Sequence, residues 1–307
     1  MKPKLVVITG PTAVGKSDLS FELAQEIDAE IINADSQQVY REMNIGTGKP
    51  TREEREKIRH HLVDLVYPNE EFNVAMFRQA ATDAASDIWS RGQQVIVCGG
   101  TGLYIKALTR GLFVGPPQSP EVREGIRAQI EEKGQGYVYE RLQRVDPAAA
   151  TWIHAHDRHR LMRALEVYEL TGIAISQWQK EHGFGERAFE TFIVALDRER
   201  GELYNRINYR CERMIDDGLV EEVRSLMEKG YGLGLRPLQS VGYRHAGLYL
   251  MGAMPLDDAV DFMKRDTRRL AKRQLTWFRG DREMRWFHPD VNREDVKQAV
   301  KKFLQVA

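Results

Sequence analysis

Two cysteines in 307 residues, Cys98 and Cys211, stand far apart in the chain. Their scarcity excludes a disulfide framework and a cysteine-rich metal site, and makes a reducing cytoplasm the expected compartment. Long hydrophobic runs are missing too. Apolar stretches such as Leu5–Ile8 and Val95–Cys98 are four residues long, whereas a membrane span needs roughly twenty. No membrane partner is therefore expected. Neither sign of charge dominates, since 45 Lys plus Arg balance 45 Asp plus Glu, so any site for a polyanion must be a local patch. There is no low-complexity tract and no convincing internal repeat. The strand-like run Lys4–Thr9 begins so early that no signal peptide is expected. A composition of 42% hydrophobic and 29% charged residues suits a folded protein with a sizeable core, arranged as one large domain or two modest ones.

The first hundred residues alternate strand and helix signals. Lys4–Thr9, Glu30–Ala34 and Gln94–Cys98 are short, apolar and β-branched, as buried strands are. Leu62–Val66 is expected to be another. A helical pattern runs to about Ile27, Thr51–Arg59 suits a surface helix, and Asn73 caps a helix that Gly92 closes. Strands separated by helices imply parallel pairing with right-handed crossovers. Gly115–Pro117 and Pro120 then break the pattern. Helical periodicity follows from Glu121 to about Glu181, before one more core strand at Thr191–Leu196. Residues 116–186 are therefore expected to be a helical insertion domain within an α/β core made of 1–115 and 187–307. Helices are expected over Glu202–Asp217, Leu219–Lys229 and Leu256–Phe278.

Chemistry enters with Gly10-Pro11-Thr12-Ala13-Val14-Gly15-Lys16-Ser17, which fits G-x-x-x-x-G-K-[ST] at every fixed position. A strand precedes it and a helix follows. Its glycines let the backbone wrap an oxyanion, and the N–H groups at the helix start face it with the dipole's positive end. Lys16 adds a mobile positive charge, and the Ser17 hydroxyl suits Mg2+. The motif specifies a phosphate chain with Mg2+, but not which one. A nucleotide triphosphatase would add a carboxylate at the end of a core strand. Gln94–Cys98 ends in Gly99-Gly100 instead, and His61–Asp64 is a weak substitute. The best-placed carboxylate is Asp35, at the carboxyl end of the second strand, where α/β sheets bind ligands. By itself it is as readily a turn residue as a site residue.

Asp35-Ser36-Gln37-Gln38-Val39-Tyr40 is followed by Met43-Asn44-Ile45-Gly46-Thr47-Gly48-Lys49-Pro50, then by Gly99-Gly100-Thr101-Gly102-Leu103-Tyr104. With the phosphate loop, these segments closely resemble bacterial tRNA dimethylallyltransferases, also called tRNA isopentenyltransferases. Further matches are Asp157-Arg158-His159-Arg160-Leu161-Met162-Arg163, Leu203–Ile207, Gly218–Val223, Gln239-Ser240-Val241-Gly242-Tyr243-Arg244 and Arg269–Arg279. The likeness runs in order from about residue 5 to 287. Asn44, where the family often has Asp, is a departure of little expected consequence because Ile45-Gly46-Thr47 is intact. Eukaryotic members often carry a C-terminal zinc finger, which two cysteines exclude here.

The resemblance implies a P-loop NTPase-like parallel sheet flanked by helices, with a helical insertion and a helical C-terminal region. It implies transfer of a dimethylallyl group from dimethylallyl diphosphate to the exocyclic N6 of an adenosine beside the anticodon of tRNA. Gly10–Ser17 with Mg2+ would neutralise the departing diphosphate, and Asp35 would accept the amine proton. Thr101 would sit at the reacting centre; capping the next helix is its other reading, compatible with the first. The anticodon stem-loop would meet Asp35, Ser36, Gln37, Gln38 and Thr101, then Arg123, Arg158, His159, Arg160, Leu161, Met162 and Arg163 of the insertion. Gln239, Ser240, Gly242, Tyr243 and Arg244 would line the path of the displaced bases. Apart from the resemblance, ordinary solvent-facing polarity describes Ser36, Gln37 and Gln38 equally well.

Lys264 to Arg285 holds nine Lys or Arg against three Asp or Glu. Lys264, Arg268 and Lys272 share one helical face, and Arg265, Arg269 and Arg273 another. RNA is the better partner for such a surface, with Arg269, Lys272 and Arg273 as phosphate contacts. Trp277, at helical spacing, is expected to be core. For Arg206 and Arg210, solvated surface and phosphate contact are equally open. His154, His156 and His159 lack the further ligands of a metal site. Asp257-Asp258-Ala259-Val260-Asp261 spells the D-D-x-x-D motif of helical prenyl synthases. It follows Pro255 at a helix start, where acidic residues suit the dipole with no metal. Three other functions compete: a small-metabolite kinase, an isopentenyltransferase of free adenine nucleotides, and a non-catalytic RNA-binding module. The expected protein is a cytoplasmic monomer.

Overall fold

The computed structural model describes residues 2–112, 115–182 and 187–306. Its strands are β1 (Lys4–Thr9), β2 (Ala29–Asn33), β3 (His60–His61), β4 (Gln94–Gly99), β5 (Glu190–Leu196) and β6 (Arg285–Phe287). They form one sheet in the order β3-β2-β4-β1-β5-β6. Every pair is parallel. The central strands are covered on both faces, so they read as unbroken apolar runs: Leu5, Val6, Val7 and Ile8 are wholly buried. Helices α1 (Lys16–Glu26), α2 (Arg52–Lys57), α3 (Val74–Ser90) and α4 (Gly102–Arg110) alternate with the first four strands.

Two unit boundaries emerge, one compact unit comprising Met1–Thr109 with Ala188–Ala307 and the other Arg110–Arg187. The second unit contains α5 (Pro120–Val145), α6 (Pro147–Ala150), α7 (Arg158–Thr171) and α8 (Ile175–His182). Its own core includes Ile126, Val138, Leu142, Leu161 and Leu165. The last residues of the expected insertion, 183–186, lie outside the described residues. The first unit is completed by α9 (Arg200–Asp216), α10 (Leu219–Glu228), α11 (Tyr243–Leu250), α12 (Leu256–Arg279) and α13 (Arg293–Leu304). No helix among the described residues is long and apolar enough to cross a membrane.

Three expectations are corrected. The strand expected over Leu62–Val66 is the two-residue β3 just before it, because Leu62 (φ 63°) and Asp64 (φ 57°) adopt left-handed backbone that ends an extended run. Val66 keeps only an isolated bridge to Tyr40. Trp277 is 42% exposed, and its neighbour Phe278 takes the core position. The third is an omission: β6 lies between α12 and α13 and pairs with β5.

Candidate active site

Strands β2, β4 and β1 are neighbours, so their carboxyl ends bring Asp35, Thr101 and the phosphate loop side by side. The loop Gly10–Ser17 needs its glycines for stated reasons. Gly10 (φ +145°) passes so close to β5 that a Cβ would lie 2.6 Å from the Leu196 carbonyl oxygen, and Gly15 (φ +108°) begins α1 in left-handed backbone. The loop is held from behind. Arg198, just after β5, donates from Nε to Val14 O (2.8 Å) and grips Asp290 with two nitrogens (2.6 and 2.9 Å). Arg206 of α9 donates to Ala13 O at 2.9 Å. Arg206 thus braces the loop backbone.

Lys16 Nζ donates to Pro11 O at 2.8 Å. Burial lowers its ammonium to about 8, although Cys98 and Asp35 nearby favour the charged form. Ser17 and Asp18 are exposed at the start of α1. A cavity of about 330 Å3 is lined by Gly15, Lys16, Ser17, Asp18 and, from α9, Arg206 and Arg210. Burial lowers the Arg210 guanidinium too, with Asp35 the largest opposing influence. Among the described residues Arg210 makes no hydrogen bond or ion pair. An unpartnered guanidinium beside a phosphate loop is a ready anion ligand, and Arg210 lines the cavity beside that loop.

Asp35 follows β2 and accepts the Gln37 N–H at 2.8 Å. Ser36 N–H donates to Thr101 Oγ1 at 3.1 Å, and Thr101 N–H to Ala34 O at 3.2 Å. Thr101 thus precedes α4 as expected, but its hydroxyl reaches the Asp35 loop instead of capping the helix. Gly99 permits the approach, since a Cβ there would collide with the Ala34 backbone. A larger cavity, about 780 Å3, is lined by Asp35, Ser36, Gln37, Thr101, Arg210, Gln239, Ser240, Arg244, Arg269 and Arg273. Arg210 borders both cavities. Gln37 Oε1 and Ser240 Oγ are buried on the larger one without a partner among the described residues, the condition of polar groups that await a ligand.

Other motif residues make structural contacts, Gln239 and Arg244 while also lining the larger cavity. Gln38 Nε2 donates to the Thr47 and Gly48 carbonyls (3.1 and 3.0 Å). Glu222 of α10 accepts the Asn44 and Ile45 N–H groups (both 2.9 Å) and the Tyr243 hydroxyl (2.6 Å). Tyr243 is wholly buried, and a Cβ on Gly46 would collide with its ring. Gly242 is buried as well. Gln239 donates to Leu233 O, and Arg244 pairs with Asp266 at 2.7 Å. Tyr243 therefore shapes the wall of the cavity and its side chain does not line it.

In the second unit, Glu166 is fully buried and accepts from Arg123 Nε (2.9 Å), Arg163 (2.7 Å) and Ser119 N–H (2.9 Å). Arg163 also donates to Pro116 O at 2.8 Å. Leu161 and Met162 are buried in this unit's core. For those two side chains, RNA contact is corrected to packing, because helical periodicity turns them inward. Arg158, His159 and Arg160 are exposed in the first turn of α7. On α12 the basic side chains divide, with Lys272 exposed although it shares the row of Lys264 and Arg268. Lys264 pairs with Glu212 (2.7 Å) and Arg268 donates to Asn208 (2.6 Å), both on α9, whereas Arg265, Arg269, Lys272 and Arg273 are exposed. Asp257 and Asp258 lie in the helix's first turn.

A parallel sheet with a phosphate loop after its first strand, and an acid and a threonine at the neighbouring strand ends, defines a phosphate-binding α/β protein built for transfer chemistry. The family model for IPP transferases matches residues 38–281. A tRNA dimethylallyltransferase 2 of Syntrophus aciditrophicus is 45% identical over 304 residues, 99% of this chain and 97% of that protein. A tRNA dimethylallyltransferase 1 of Citrifermentans bemidjiense is 48% identical over 285 residues, covering 93% and 92%. Among solved structures, a tRNA isopentenylpyrophosphate transferase from Bacillus halodurans superposes with a TM-score of 0.74 at 36% identity, covering 99% and 97% of the two chains. A eukaryotic dimethylallyltransferase acting on tRNA superposes at 0.83 with 28% identity, covering 99% and 80%. The chain belongs to the IPP transferase family.

Proposed function

We propose that this protein transfers the dimethylallyl group of dimethylallyl diphosphate to N6 of an adenosine next to the anticodon of tRNA, releasing diphosphate. The observation that carries the reading is the pair of cavities that share Arg210, with the phosphate loop on one and Asp35 and Thr101 on the other. The N6–C1 bond forms as the C1–O bond to diphosphate breaks, so negative charge grows on the leaving oxygens while the amine becomes acidic. Lys16, Arg210 and the loop N–H groups stabilise the first change. Asp35 takes the proton released by the second, and Thr101 orients the reacting amine. The exposed oxygens of Ser17 and Asp18 beside the cradle fit Mg2+, which prefers a few hard oxygen ligands and retained waters. When bound, Mg2+ supplies further neutralisation of the diphosphate. Ser36, Gln37, Gln239, Ser240 and Arg244 hold the loop bases. Arg158, His159 and Arg160, with Arg269, Lys272 and Arg273, meet phosphates of the anticodon stem-loop. The enzyme acts as a monomer in a reducing cytoplasm, the latter in keeping with its free thiols.

The test is to supply dimethylallyl diphosphate, Mg2+ and unmodified tRNA, and to look for the mass gain on adenosine. Asp35→Ala is expected to lower turnover about 100-fold or more with inorganic diphosphate still bound. Phosphorylation from ATP without prenylation would reject the reading, and preference for AMP over tRNA would move the activity to free nucleotides.

A further inference from the structure

The ladder between β1 and β4 ends at Thr9 and Gly99. Thr9 Oγ1 still donates to Gly99 O at 2.9 Å, but beyond that point no backbone hydrogen bond joins the phosphate loop to the Gly100–Gly102 turn among the described residues. One side chain joins the two. From α12, Gln274 Oε1 accepts the Thr12 N–H at 2.9 Å, while its Nε2 donates to Gly100 O at 3.0 Å. A carboxamide offers one acceptor and a donor in the same plane, as a peptide unit does. Gln274 thus adds a rung beyond the end of the ladder. Among the described residues no other side chain hydrogen-bonds both turns.

The neighbouring glycines fit this arrangement. A Cβ on Gly100 would collide with the Gln274 amide, and one on Gly102 with the indole of Trp277, three residues further along α12. Helix spacing puts residues three apart on one face, so α12 holds both flanks of Thr101. On its other side Thr101 is tied to the Asp35 loop through Ser36 and Ala34. The chain of support therefore runs from the phosphate loop through Gln274 to Gly100–Thr101 and on to Asp35.

We infer that Gln274 is a positioning residue for transfer, setting the separation between the diphosphate cradle and the Asp35–Thr101 pair. The inference rests on the function proposed above. Displacement requires the attacking nitrogen and the allylic carbon to be close and in line, and a misplacement of about 1 Å costs on the order of 100-fold in rate. The residue type matters as well as its size. A carboxylate in place of the carboxamide would, at neutral pH, still accept from Thr12 but would have no proton for Gly100 O. Gln274→Glu therefore removes one half of the bridge and Gln274→Ala removes both.

Full-length wild type, Gln274→Ala and Gln274→Glu are to be compared in the prenylation assay with saturating dimethylallyl diphosphate and varied tRNA. The expected result is a kcat lowered about 30-fold or more in the alanine variant and about 10-fold in the glutamate variant, with the KM for tRNA within about threefold of wild type. A kcat within about threefold of wild type in both, or an effect confined to KM, overturns the inference. The nearly isosteric Gln274→Glu carries the kinetic test should Gln274→Ala fail to fold. Wild type that prenylates nothing would sink the proposed function instead. The bridge is then read without substrate, from amide exchange at Thr12. Exchange at least about tenfold faster in Gln274→Ala, with Thr12 still protected in Gln274→Glu, supports it, and unchanged protection in Gln274→Ala overturns it.

Discussion

At Lys16, burial and the anion-binding role pull against each other. The buried ammonium is lowered to about 8 in the free protein, whereas an anion docked on the loop favours its charged form. A proton is therefore taken up on binding wherever the free lysine has lost it. Diphosphate affinity is expected to be nearly constant below this value and to fall about tenfold between about pH 7 and pH 9. Calorimetric titration with inorganic diphosphate measures it, with Lys16→Met as the control that binds weakly and without this pH dependence. Lys16 is legible in the sequence because its partners are local: the glycines, the lysine and the serine fall within eight consecutive positions that a strand and a helix deliver together. Arg210 is not. On α9 it looks like any exposed arginine, and only the approach of that helix to the phosphate loop and to Gly48 leaves it partly buried beside Asp35, with no hydrogen bond or ion pair among the described residues. Trp277 misleads for a related reason. Periodicity predicts the inward face of α12, but Phe278 takes that face while Trp277 packs on Gly102.

Among the elements, α12 shows how one helix serves several ends. Asp257 and Asp258 in its first turn complement the dipole. Lys264 and Arg268 are engaged with α9, and Arg265 and Arg269 lean on Asp266 (3.3 and 3.2 Å). Lys272 and Arg273 remain exposed, with no ion pair among the described residues. They are the pair from which an RNA phosphate contact gains most, since no protein carboxylate competes. Replacing both by alanine is expected to weaken tRNA binding at low salt and to reduce the slope of log affinity against log salt by about 1.5. Binding measured across a salt series checks this, and an unchanged slope removes these two residues from the RNA surface. The basic composition of the segment is plain in the sequence. Which of its basic side chains face solvent depends on α9, whose register against α12 no local pattern encodes.

For the molecule as a whole, separate cores matter most. The sheet core includes Leu5, Ile96, Phe77 and Phe278, while that of Arg110–Arg187 includes Ile126, Leu142, Leu161 and Leu165. Small cores have little stability to spare. Leu161→Ala is expected to destabilise the second unit by about 3 kcal/mol, read as faster amide exchange along α7, and to leave inorganic diphosphate binding by the first unit unchanged. Loss of diphosphate binding would show that the two cores do not act separately. The buried Glu166 that holds Arg123 and Arg163 belongs to the same unit, so these arginines secure its fold whatever else they touch.

What the amino-acid order determined by itself is what short range can carry: the phosphate loop, the buried strands, the helical insertion and Asp35 at a strand end, all set by periodicity and backbone preference. The ordered motifs also sufficed to point to the family. What only the tertiary structure decided are the partnerships across the chain: Gln274 between Thr12 and Gly100, Arg198 behind Val14, Glu222 and Tyr243 under the Ile45–Gly46 turn, and Arg210 bordering both the phosphate-loop cavity and the Asp35 cavity. Each joins segments far apart in the chain that only the packing of helices and turns about the sheet brings together. Hydrogen bonds act over about 3 Å, so no pattern in one dimension records which side chains will come within reach.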